Sequence, residues 1–163
     1  MKNLIIALGL LASLALPVAS IGQEIASRQT ASLAPITADV RVVYTPQDHK
    51  ALVIAVFTTT DPTKYSVNCL SVYRDVKFTL RDSSGQIMQM DSDAWKSHAD
   101  YSTEQYANTP CERLPQSWTK KDSRAFLQDL YPSVPHGTYS LEMLIAPHGL
   151  SHYATLAPFE VQL

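Results

Sequence analysis

The sequence predicts an all-β fold, an antiparallel β-sandwich of about seven strands. Three observations carry this. Short runs rich in β-branched and aromatic residues recur, and several alternate apolar with polar residues. Turn residues separate them at short spacing. The helices that must connect the strands of a parallel sheet are missing.

Each element follows from its own pattern. ITADVRVVYT (36–45) alternates in part and is rich in β-branched residues. ALVIAVFTTT (51–60) is a nearly continuous apolar run of strand length. DVKFTL sets Val76, Phe78 and Leu80 on one face against Lys77 and Thr79. RDSSGQ then supplies turn residues and IMQM returns, so 75–90 reads as a hairpin. TYSLEMLIA and HYATLAPFEVQL flank Pro147-His148-Gly149 and read as a second hairpin.

The chain ahead of these strands reads differently. A short positive start at Lys2 leads into an apolar run over 4–16, then Pro17 and the small residues Val18-Ala19-Ser20. This is the pattern of a secretory signal, assigned to 1–22, with cleavage after Ser20 or after Gly22. The run is shorter than a membrane span, no later segment reaches spanning length, and no Cys follows it to carry a lipid. Residues 23–35 are small and polar and read as a flexible leader. The domain is assigned to 36–163, and the expected location is periplasmic or secreted.

Charge and cysteine content bound the function further. Without Lys2 the chain carries 12 basic against 15 acidic residues. That balance offers no basic footprint for nucleic acid. The only cysteines are Cys69 and Cys111, which in an exported protein are most simply a disulfide. The bond would pin an unusual segment. Residues 91–123 contain almost no aliphatic side chains but carry Trp95, Tyr101, Tyr106 and Trp118. A loop of this length in a compact domain is usually functional or partly structured.

SVPHGTYSLEML (133–144) combines Val134, Pro135, Gly137 and Tyr139 ahead of an alternating strand. This resembles the tyrosine corner of immunoglobulin-like and fibronectin type III sandwiches. The resemblance implies that the Tyr139 hydroxyl bonds to backbone a few residues upstream. It also implies an immunoglobulin-like sandwich, here with a long disulfide-pinned insertion. Pro135 would stiffen the approach, and Gly137 can adopt a positive φ. The Cys–Trp–Cys core of antibody domains is missing, and the resemblance carries an architecture without an activity.

No enzyme template is present. There is no G-x-S-x-G, no H-E-x-x-H, no phosphate loop and no dinucleotide fingerprint. His136 reads as a turn residue facing water. His148 and His152, across the Pro147–Gly149 turn, with Met88 and Met90 on a strand, are the candidate ligands of a metal such as copper, but their spacing fits no metal motif. No cofactor is expected. Trp and Tyr combine large contact area with low entropy cost, so the four loop aromatics are the expected binding residues. The function expected is that of an exported, non-catalytic module binding a protein or envelope component through 91–123. A periplasmic copper carrier and a secreted protease inhibitor are the alternatives.

Overall fold

The computed structural model describes residues 24–45, 50–92 and 119–163, with side chains from Ser27 onward. Eight strands occur among these: β1 (Glu24–Leu33), β2 (Ile36–Thr45), β3 (Lys50–Thr59), β4 (Val76–Arg81), β5 (Lys120–Phe126), β6 (Thr138–Ile145), β7 (Ala154–Thr155) and β8 (Phe159–Gln162). They form two antiparallel sheets. One has the order β1-β2-β3-β5. In the other β6 is central, with β4 on one side and both β7 and β8 on the other. β7 and β8 are thus two pieces of one interrupted strand, broken around Pro158.

Alternation decides what β6 and β8 bury and most of what β2 buries, whereas the central strand β3 is buried on most of both faces. Ile36, Ala38, Val40 and Val42 of β2 face inward, as do Ala51, Val53, Ala55 and Phe57 of β3. Tyr139, Leu141, Met143 and Ile145 of β6 meet Phe159 and Val161 of β8 in the same core. Burying each large side chain contributes roughly 1.5–3 kcal/mol. The all-β, antiparallel expectation is therefore met.

Three expectations are corrected. Residues 24–33 are not a flexible leader. They form β1, paired along its length with β2, and Ala31 and Leu33 enter the core. Their inward side chains are small or spaced among polar ones, so the segment lacks a strong strand signal. Residues 120–123 belong to β5 and not to the insertion. KKDSRAF reads as a polar loop because it lies at the end of the described sheet and buries only Ala125 deeply; pairing with β3 makes it a strand. Finally, IMQM is no full partner strand. The return from β4 keeps one bridge, Arg81 to Ile87, and the bond from Met88 N to Leu80 O at 2.8 Å. Met88 packs on the core while Met90 is exposed, so the two do not share an environment.

The turn of that return is well specified. Asp82 Oδ1 accepts bonds from Ser84 Oγ, Ser84 N and Gln86 N, at 2.7, 2.9 and 2.9 Å. The Ser84 hydroxyl and these amides hold the Asp82 carboxyl below its ordinary pKa. Gly85 takes a φ of 84°, which other residues resist.

Both sides of the sandwich are closed by side chains. On one, Gln29 of β1 reaches across to Ala157, donating to its carbonyl and accepting from its amide, each at 2.8 Å. One amide side chain thus replaces a strand pairing where β7 and β8 are interrupted. On the other, the segment from Tyr65 to Asp75 fills the gap between β4 and β5. It includes a 3-10 turn, η1 (Val67–Cys69), and a helical turn, α1 (Val72–Asp75). Tyr65, Val67, Leu70 and Val72 are all buried there.

Candidate functional site

The expected binding residues Trp95, Tyr101, Tyr106 and Trp118, together with Cys111, lie outside the described residues. The frame that carries them is described. At its start, Asp91 N donates to Leu130 O at 2.9 Å. Leu130 closes the helical turn α2 (Leu127–Leu130) that follows β5. At its end, the Thr119 carbonyl accepts from Thr59 N at 2.9 Å, immediately before β5. The insertion therefore leaves beyond one end of β5 and rejoins at the other. It must span the strand's length, on the order of 20 Å.

Cys69 sits in the flank of this frame. It is 1% exposed, at the end of η1, with Sγ 3.5 Å from Ser66 O. The adjacent Asn68 carbonyl accepts from Lys121 Nζ at 2.7 Å, which ties η1 to the start of β5. Ser123 Oγ, two residues on, accepts from Val72 N at 2.9 Å. Cys69 is thus fixed beside the limb where the insertion returns.

Beneath Cys69 lies a polar cluster that sequence reasoning missed. Asp75 is 1% exposed yet fully supplied with donors. Oδ2 accepts from Ser71 N at 2.7 Å and from Arg74 Nη2 at 3.1 Å. Oδ1 accepts from His148 N at 2.8 Å and from Arg74 Nε at 3.3 Å. Arg74 also donates to the Cys69 carbonyl, and the Tyr65 hydroxyl donates to the His148 carbonyl. Ser71 in return caps α1 by accepting from Tyr73 N at 3.3 Å. One carboxylate thereby joins the Cys69 segment to the turn between β6 and β7. The signal available was Ser71 followed four residues later by Asp75, one position longer than a capping box.

The two candidate histidines, His148 and His152, make separate contacts. His148 contributes backbone atoms to this cluster. The His152 ring nitrogen Nε2 lies 3.0 Å from the Ala34 carbonyl, at the β1–β2 turn. Among the described residues no group of three or more His, Cys, Asp or Glu side chains converges. Gly149 takes a φ of 82° in the turn between them.

The corner at 134–139 is built as a bond and a packing contact. The Tyr139 hydroxyl donates to the Pro135 carbonyl at 2.8 Å, and Val134 packs against the core. Gly137 departs from expectation, because its φ does not lie in the left-handed region. Instead its amide and carbonyl exchange bonds with Leu163, at 2.8 and 3.0 Å, and the Tyr139 ring lies over it. His136 is exposed. Pro135 is exposed as well, so water can replace part of the lost bond. Tyr139→Phe should therefore lower stability by about 1 kcal/mol, read as a reduced urea midpoint, with unchanged binding by the folded protein.

Tyr131 marks the exit of the insertion. It is buried beside Leu80, and burial pushes its phenol up to about 12. It stays neutral in the fold. The Tyr73 phenol is also raised, by burial and by the nearby Asp129 carboxylate.

No family model, curated protein or solved structure matches the chain. No helix among the described residues is long and apolar enough to cross a membrane.

Proposed function

We propose that this protein is an exported, non-catalytic binding module. It recognises a protein or envelope component through the aromatic-rich insertion between residues 91 and 119. The observation that carries the reading is the frame: both ends of the insertion are hydrogen-bonded to the sandwich, at opposite ends of β5. A rigid scaffold presenting a long loop is the usual arrangement of a recognition site. Trp95, Tyr101, Tyr106 and Trp118 are the contact residues of this reading.

A Cys69–Cys111 disulfide belongs to the same proposal. It would fasten the insertion to η1. Support comes from the position of Cys69 beside β5 and from the lack of any free cysteine among the described residues.

The sandwich is proposed to be immunoglobulin-like. The strand order supports this. β2-β3-β5 facing β4-β6-β7/β8 corresponds to strands A-B-E facing C-F-G. Tyr139 then falls near the start of strand F, where a tyrosine corner belongs. In this correspondence β1 is additional, and the insertion occupies the chain position of strand D.

Replacing Trp95, Tyr106 and Trp118 together with Ala should abolish capture of the partner from native envelope extract while leaving the unfolding midpoint within a few degrees of wild type. Equal capture of the same proteins by wild type and variant would remove the loop from recognition.

A further inference from the structure

We infer that the free edge of β1 is a strand-addition site, which takes a second copy of this chain, β1 against β1, across a two-fold axis at Thr30. β1 pairs with β2 on one side only. Among the described residues its backbone makes no hydrogen bond on the other side, where the Gln29 side chain alone reaches Ala157. The outward side chains Arg28, Thr30 and Ser32 are exposed. This end of the sheet is therefore open, unlike β3, whose outward Leu52 and Val56 are buried.

Folded proteins protect sheet edges, because unpaired N–H and C=O groups recruit other strands. The other edges here carry such protection. Ile87 and Met88 cover the end of β4. β7 and β8 are short and separated around Pro158. β5 carries Lys120, Lys121, Asp122 and Arg124. β1 has ten residues, and from Ser27 onward its one charge is Arg28, whose guanidinium is held by Asp39 of β2. A long edge left unprotected among protected ones is the place where strand addition is expected.

The sequence of β1 fits itself. With Thr30 on the axis, Arg28 faces Ser32, Gln29 faces Ala31 and Ser27 faces Leu33, each pair occurring twice. No like charges meet, and the central Thr–Thr contact is a favourable cross-strand pair. The Gln29–Ala157 bonds already close the inner side. An added strand must bring small or polar side chains there, and Ser27, Gln29 and Ala31 are of that kind. The seam also begins after the irregularity between Ile25 and Ser27. The pair forms one eight-stranded sheet, four strands from each copy, with β5 at both ends. Seven strand spacings set the two β5 strands about 34 Å apart. Each dimer then presents two aromatic insertions, which raises avidity without a new contact. That consequence rests on the recognition proposed above, whereas the pairing does not.

The test is sedimentation equilibrium of the folded protein up to about 500 μM, because a seam one strand wide is smaller than a standard interface and holds weakly. Wild type should dimerise. Thr30→Lys and Thr30→Glu should each weaken the dimer about tenfold, since like charges then face each other at the axis. Ser83→Lys, on the exposed turn after β4, adds the same charge elsewhere and should change the dimer less than about twofold. An equimolar mixture of Thr30→Lys and Thr30→Glu should restore association, which damage to the fold would not allow. Wild type that stays monomeric throughout would overturn the proposal. So would dimers indifferent to Thr30→Lys, or a mixture that fails to associate. Thr30 lies on the edge strand farthest from β5, so failure here leaves recognition through the insertion standing.

Discussion

Asp75→Ala should lower the stability of the domain by about 3–5 kcal/mol, the cost of breaking a buried ion pair by removing one partner. Arg74 would lose its counter-charge in a site where its Nη1 already has no partner. The amides of Ser71 and His148 would lose their acceptor at the same time. The backbone around Asp75 adds to the effect, because Asp75 O accepts from Ala146 N at 2.8 Å in the register of β4 with β6. Loss of the carboxylate loosens the Cys69 segment and the β6–β7 turn together. Urea unfolding measures this as a lower midpoint. A change below about 1 kcal/mol would mean that water satisfies these groups and that the cluster is not a keystone.

Breaking the proposed Cys69–Cys111 bond, by Cys69→Ser with Cys111→Ser, should cost about 3–4 kcal/mol. The bond would close a loop of about 40 residues, and chain entropy in the unfolded state gives that magnitude. The effect on function should be distinct from the effect on stability. With the bond gone, the insertion keeps its two hydrogen-bonded ends but loses its anchor beside β5, so the remaining folded protein should bind its partner more weakly. Reduction of wild type under native conditions should reproduce the loss, and reoxidation should restore it. A double variant as stable as wild type would show that Cys69 acts only as a small buried apolar residue.

The sequence was legible where apolar residues alternate or, as in β3, run on almost unbroken. Inward positions of β2, β6 and β8 are apolar, and so are those of β3 up to Phe57, so these strands could be read directly. It was misleading where side chains do not pay for the strand: β1 carries Arg28, Gln29, Thr30 and Ser32, and β5 carries five charged or hydroxyl residues in seven. Those segments are strands because β2 and β3 offer them partners, a tertiary effect that no local pattern records. The corner was visible through Tyr139, whose bond is made, whereas Gly137 serves there by its backbone bonds to Leu163 and its closeness to the Tyr139 ring, without a positive φ. The Asp75 cluster was hidden for a different cause. Its donors come from 71, 74 and 148, and only the fold brings His148 to Asp75.

The central claim is that the insertion presents its aromatic rings for recognition. The chain has only two tryptophans, Trp95 and Trp118, and both lie in that insertion. Intrinsic tryptophan fluorescence therefore reports on the proposed site alone. The account predicts red-shifted emission in the free folded protein, strong quenching by acrylamide, and protection from quenching when the captured partner is added. Blue-shifted emission that acrylamide does not reach, unchanged by the partner, would place both rings inside the fold and contradict it.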